Sequence, residues 1–281
     1  YYFISKYLLL NSNDSKIIIK DIFLTVYYFG IVISILAILI LLFNKILLIR
    51  LTLPGIHPIP FSQSIGASFL VSLSIFLSEG KLLNVLSKRI IKFNSLFLIY
   101  LGIALLMTNT RGVLLAACVC SFMLIIFNPY KVKKRKVFFY GVPIIIIFLY
   151  LVILIGPDFL FRRVFNSSND ESISNRMYAY LDSIKIFQNN PLGIGTGAFG
   201  SYSRLGYPHN LILQNIAEYG IIGFVWSILL LIGMFYSMTI AFIIRKRVSY
   251  SIVIVVFFLY YFIESMFSFT LWMQKGLFLS F

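Results

Sequence analysis

Residues 22–43 form an uninterrupted apolar run. About 20 such residues are needed to carry a helix across the hydrocarbon core of a bilayer. Backbone amides and carbonyls find no water there, so a spanning segment must satisfy them internally. The run therefore reads as a transmembrane helix. Further apolar segments follow at about 62–78, 94–109, 112–128, 137–156, 220–243 and 250–269. Residues 275–281 read as the start of another. Some runs fall short of 20, so these spans borrow interfacial residues. Composition agrees: 60% of the chain is apolar, 12% is charged and the mean hydropathy is +0.96. A soluble domain is nearer half apolar and a quarter charged, so soluble globular and disordered classes are excluded. The chain starts at Tyr1 and stops at Phe281 inside an apolar run, which reads as a piece of a longer membrane protein.

The net charge of +15, from 24 Lys and Arg against nine Asp and Glu, has to be mapped before it is interpreted. Fifteen of the basic residues fall in one alternating set of loops: 1–21, 79–94, 129–136 and 245–249. The other short loops hold only Lys45, Arg50, Arg111 and Lys275. Basic residues collect on cytoplasmic loops. The first set is thus expected inside, with Lys131, Lys133, Lys134, Arg135 and Lys136 as the strongest signal. The long polar segment 157–208 then lies outside. The expected fold class is all-α: a polytopic transmembrane bundle of about seven spans, forming a single membrane-embedded domain over 1–281. One large extracytoplasmic loop, 157–208, carries an amphipathic surface helix. Basic residues spread over several short loops argue against a nucleic-acid partner. No internal repeat or pair of matching broken helices points to an inverted-repeat transporter.

Cys118 and Cys120 lie two apart in an apolar run, so on a helix they point in different directions and are poorly placed to pair or to share a metal. No Cys/His cluster suggests zinc.

The outer loop carries more pattern. Met177, Tyr180, Leu181, Ile184 and Phe187 recur at helical spacing over Ser174–Asn190. Ser174 is a plausible N-cap, and Asn189-Asn190-Pro191 a stop. Such a helix lies on the membrane surface with its apolar stripe toward lipid or the bundle. Arg176 sits in its first turn, where the helix dipole disfavours a cation. Next, Gly193, Gly195 and Gly197 allow a tight backbone. They read first as a structural turn, and second as amides open to an anion. Then Tyr207-Pro208-His209-Asn210 leads into Leu211–Tyr219, ended by Gly220. Asn210, Gln214 and Glu218 make one polar stripe at i, i+4, i+8. Such a stripe faces the bundle interior or a wet cavity. His209 is an interfacial residue or a proton acceptor. Arg111, in the short connection Met107–Gly112, sits at the outer interface, where it can snorkel to headgroups or bind substrate. Glu264, in the last span, reads as a helix–helix hydrogen bond. Arg50 and His57, on the first outer loop, are unspecific candidates.

Together these pieces resemble the O-antigen ligase and O-antigen polymerase superfamily of bacterial envelope enzymes. The resemblance is carried by Thr110-Arg111-Gly112, by Asn175-Arg176 opening a helix, and by Asn190-Pro191-Leu-Gly193-Ile-Gly195-Thr-Gly197-Ala-Phe199. His209-Asn210 and Glu218-Tyr-Gly220-Ile-Ile-Gly223 complete it, over roughly residues 95–270. It implies a metal-independent, inverting glycosyl transfer at the outer face of the bacterial cytoplasmic membrane, with no cofactor. The donor would be an oligosaccharide on undecaprenyl diphosphate. The catalytic residues would be His209, Arg111 and Arg176, with Arg111, Arg176, Asn210, Glu218 and Gly195 binding substrate. A polymerase joining repeat units of an O-antigen or capsule is the preferred branch, and a ligase acting on lipid A-core or on a protein the alternative. A chain-length regulator and a flippase are the implied partners beside the lipid bilayer. A reading from another class is a flippase or transporter for lipid-linked sugars. Against it stand the missing repeat symmetry and the shortage of polar groups at mid-membrane.

Overall fold

The computed structural model describes residues 14–44, 51–78, 88–127, 171–244 and 251–267. Among them there are eight helices and no strand. In chain order these are α1 (Asp14–Asn44), α2 (Pro58–Leu77), α3 (Lys88–Met107), α4 (Arg111–Phe127), α5 (Glu171–Asn189), α6 (Phe199–Tyr202), α7 (Leu211–Ile244) and α8 (Ser251–Ser265). Three stretches are long and apolar enough to cross a membrane: Ile18–Ile40, Pro58–Leu77 and Leu211–Ile240. Shorter apolar helices cover Phe93–Met107, Gly112–Phe127 and Ile252–Ser265. Six of the seven expected spans therefore coincide with apolar helices. The seventh, 137–156, lies outside the described residues, as do the basic cluster at 131–136, Arg50 and the run at 275–281.

The chain forms two compact units. In the first, α2 packs against α1, α3 and α4. Its contacts use small and polar side chains, as membrane helices do where lipid is as apolar as leucine. Gly30 of α1 faces Ser68, whose hydroxyl donates to the Val26 carbonyl. Asn94 of α3 and Ser72 of α2 are fully buried and exchange two hydrogen bonds, both 2.9 Å. Glu264 of α8 accepts from the Gln63 amide, and Tyr260 donates to the Gln63 carbonyl at 3.0 Å. The helix–helix role expected for Glu264 is thus what it plays. Cys118 is exposed and Cys120 buried, both are free, and Cys120 contacts the Val256 carbonyl.

In the second unit, α5 packs on α6 and on the first part of α7 through Ala179, Ile186, Phe199 and Ala217. α5 starts at Glu171, earlier than expected, so Ser174 lies inside the helix instead of capping it. The expected break is present: Gly220 is non-helical, with φ 60° and ψ −137°, and divides α7 into two helical segments that meet at a sharp kink.

Candidate functional site

Arg176 and His209 lie in the second unit and meet there. α5 supplies Arg176, now well inside the helix, where the N-terminal dipole penalty has faded. The loop before α7 supplies His209. Its φ of 55° is left-handed, a conformation few residues other than glycine adopt. Three contacts hold the loop there. The Ser203 hydroxyl donates to the Asp182 carboxylate of α5 at 2.7 Å. The Tyr207 ring packs on the imidazole with centroids 4.3 Å apart. Asn210 caps α7, its Oδ1 accepting from the Leu213 amide at 3.1 Å, while its Nδ2 reaches the Met266 carbonyl at 3.5 Å.

The charge on Arg176 acts on the imidazole. Burial lowers the His209 pKa to about 4, with the neighbouring guanidinium as the second cause. Both disfavour the imidazolium, so the ring is neutral at working pH. His209 Nδ1 and Arg176 Nε are buried and lack a hydrogen-bond partner among the described residues. Buried polar atoms are nearly always paired, so two unpaired nitrogens on neighbouring residues single out this spot as the candidate site.

α7 carries a buried polar layer. Gln214, Asn215 and Glu218 are all buried. The Gln214 amide donates to the Glu218 carboxylate at 3.3 Å, as the i, i+4 spacing predicts. Asn215 reaches Ser227 across the Gly220 break at 3.2 Å. Sequence spacing does not reveal that pair: twelve residues of straight helix would hold the two about 18 Å apart, so the chain has to bend sharply back at Gly220 to bring them together.

The glycine-rich turn docks on the same stretch of α7. The Ile194 amide donates to the Ala217 carbonyl at 3.2 Å and the Gly195 amide to the Glu218 carbonyl at 2.9 Å. Ile221 donates back to Pro191 at 2.9 Å. The amides at 194 and 195 are thus committed to the protein, which favours the structural-turn reading. Gly195 is exposed and has open space where a Cβ would be.

Arg111 belongs to the first unit, where it opens α4; its side chain lies outside the described residues. The preceding turn holds Thr108, Asn109 and Thr110, all buried. Asn109 adopts φ 52°, and its Nδ2 has no partner among the described residues. The first hydrogen bond of α4 runs from Leu114 to Thr110 at 3.0 Å, leaving the opening amides outside the helix pattern. His57 caps α2, its Nδ1 accepting from the Ile59 amide at 3.3 Å. No group of three or more metal-ligating side chains occurs among the described residues.

Residues 96–228 match the family model described as O-antigen ligase, consistent with the O-antigen ligase and polymerase superfamily. Arg111, Arg176, Gly195, His209, Asn210 and Glu218 all fall within the matched region. Members are membrane glycosyltransferase-like enzymes, and with the long apolar helices the match points to a membrane protein. No curated protein and no solved structure gives a match.

Proposed function

We propose that the chain is an O-antigen or capsular polysaccharide polymerase. It joins undecaprenyl-diphosphate-linked repeat units at the outer face of the bacterial cytoplasmic membrane, with Arg111, Arg176 and His209 as its catalytic residues. The seven-span topology with 157–208 outside belongs to the same reading. The observation that carries it is Arg176 beside a neutral, half-buried His209, each with an unpartnered buried nitrogen, inside the family-matched region.

The chemistry follows from the side chains. An acceptor hydroxyl attacks the anomeric carbon of the donor sugar. A new carbon–oxygen bond forms as the bond to diphosphate breaks, and attack from the opposite side inverts the centre. Negative charge grows on the leaving diphosphate. Guanidinium groups match phosphate oxygens with parallel hydrogen bonds and stay charged at any working pH. Arg176 and Arg111 supply that charge. His209 takes the proton of the attacking hydroxyl. Its pKa of about 4 makes the resting ring a weak base. An anion bound to Arg176 offsets the neighbouring positive charge and raises that pKa. The base therefore strengthens when donor is in place. Gly195, Asn210 and Glu218 support this centre by fixing the loop, capping α7 and lining its buried face.

The description of the matching family favours a second branch: a ligase that transfers finished glycan to lipid A-core or to a protein. Both branches are tested in a deletion strain complemented with His209→Ala or Arg176→Ala at matched expression. Loss of long glycan with single repeats on the acceptor supports the polymerase. Lipid-linked polymer with bare core supports the ligase. Wild-type chain length in either variant overturns the site. Lipid-linked sugar crossing a reconstituted bilayer with no new glycosidic bond would move the chain to the flippase class.

A further inference from the structure

α5 presents three different faces. Ala179, Ser183 and Ile186 share one side at helical spacing and are buried: 0%, 0% and 6% exposed. This small-residue side packs the helix onto Phe199 and Ala217. Asn175, Asp182, Lys185 and Asn189 occupy a second, mainly polar side, which also carries the exposed Tyr178. The third side is apolar: Met177, Tyr180, Leu181, Ile184 and Phe187, centred roughly 140° from the packing side at 3.6 residues per turn. Its middle is bare, with Met177, Leu181 and Ile184 at 61%, 48% and 47% exposed. The apolar stripe is therefore not what holds α5 to its unit.

We propose that this stripe lies in the outer leaflet of the bilayer, so that α5 is an interfacial helix with lipid as the partner of its apolar side. Continuity with α7 carries the choice. Before Gly220, the inner side of α7 is buried in protein at Gln214, Asn215, Ala217 and Glu218. After Gly220, Ile221, Ile222, Phe224, Val225 and Trp226 are all exposed, as on a lipid-facing helix. The chain leaving α5 is fastened at that transition, since the Pro191 carbonyl accepts from the Ile221 amide at 2.9 Å. Leu192, 83% exposed, follows directly. The C-terminal end of α5 is thus fixed at the start of the exposed apolar segment of α7. A helix with one apolar arc and one polar arc, too polar overall to cross the bilayer, is what the headgroup boundary accommodates. Lys185, on the polar side, remains in reach of phosphate headgroups. Lipid contact along α5 also sets the depth of Arg176, between the packing and apolar sides, at the phosphate layer. The lipid contact itself stands without the reaction proposed above, while the choice of the outer leaflet rests on the topology proposed with it.

The test uses the full chain in nanodiscs, in a Cys118→Ala, Cys120→Ala background. Nitroxide labels are placed singly at Met177, Leu181, Ile184, Lys185 and Asn189. Collision with oxygen, concentrated in lipid, is compared with collision with a water-soluble nickel chelate. The expected result is an oxygen-to-nickel ratio at 177, 181 and 184 several-fold above that at 185 and 189. Nickel-accessible labels on the stripe overturn the proposal, because the stripe is then in water. Labels accessible to neither reagent also overturn it, because protein then covers the stripe, either another segment of the chain or a second copy. Should labelling disturb folding, the unsubstituted chain in liposomes is treated with a membrane-partitioned carbene reagent. Adducts on Met177–Phe187 alongside those on Ile221–Leu229 support the proposal, and adducts on the latter alone overturn it.

Discussion

Arg176 and His209 are electrostatic neighbours, and the guanidinium helps to keep the imidazole uncharged. The chain contains only one other histidine, His57. A His57→Asn variant keeps a residue suited to capping α2 and leaves His209 as the single imidazole. Its titration by NMR should have a midpoint near 4, well below the ordinary 6.5. Burial is the larger cause and Arg176 the smaller. Arg176→Gln should therefore raise the midpoint without restoring the ordinary value. An ordinary midpoint in the parent would contradict the packing around His209. Stability should respond to pH as well. The unfolded chain takes up a proton near 6.5 that the folded site refuses until about 4, so stability falls as pH drops through that window.

Gly193 and Gly220 meet backbone to backbone. A Cβ on Gly193 would sit 2.4 Å from the Glu218 carbonyl, and one on Gly220 would sit 2.2 Å from that of Pro191. Both glycines have positive φ, 88° and 60°. Gly197 also has positive φ, 74°, but open space around it. Gly197→Ala should lose only the left-handed penalty, about 1–2 kcal/mol. Gly193→Ala and Gly220→Ala should lose more, because rigid backbone must also move. Thermal unfolding in detergent would rank the three. The double variant at 193 and 220 should lose less than the sum of its parts, since either change opens the shared contact.

The sequence was most informative where one residue decides a local event. The break at Gly220 and the divergence of Cys118 from Cys120 follow from backbone freedom and helical periodicity. So does the Gln214–Glu218 contact, at i and i+4. The α5 helix was legible, but not the side on which it packs. Periodicity marks the apolar stripe, and in water that stripe would be the packing side. Near lipid, Ala179 and Ser183 bring backbones close instead, and the stripe is left outward. The meeting of Ser203 with Asp182, and of Tyr207 with His209, depends on a loop path that no period encodes. The left-handed φ of His209 left no signal of its own.

Asn94 and Ser72 test how far polar glue holds the first unit. Asn94→Ala removes both hydrogen bonds of the pair, while Ser72→Ala removes only the one made by the hydroxyl. Interhelical bonds in membranes are worth about 0.6 kcal/mol on average and reach about 1.7. On that scale, Asn94→Ala should lose about 1–2 kcal/mol and Ser72→Ala less than half of that. Equal losses, read as unfolding free energies in mixed micelles, would mean that packing and not hydrogen bonding dominates the contact.

The Ser203–Asp182 bond is the tether that keeps the His209 loop against α5, 2.7 Å from hydroxyl to carboxylate. Ser203 Oγ also accepts from the Leu205 amide at 3.4 Å, so the tether shapes the loop as well as anchoring it. The hydroxyl and carboxylate are engaged with each other, so both residues act on Arg176 and His209 by position. A hydrogen bond to a charged group contributes about 1.5–3 kcal/mol, and partial exposure places this one toward the lower end. Asp182→Ala frees the loop and lets His209 drift from Arg176. The imidazole then gains water and loses its cationic neighbour, so its midpoint should rise from about 4 toward 6.5. Asp182→Asn keeps an acceptor and should retain most of the depression. If the site polymerises glycan as proposed, Asp182→Ala should lower kcat more than it raises KM, because the base is displaced while the donor still meets Arg176. A structural defect alone would reduce the amount of folded protein without moving the His209 midpoint. An unchanged midpoint in Asp182→Ala would remove the tether from the account of the site.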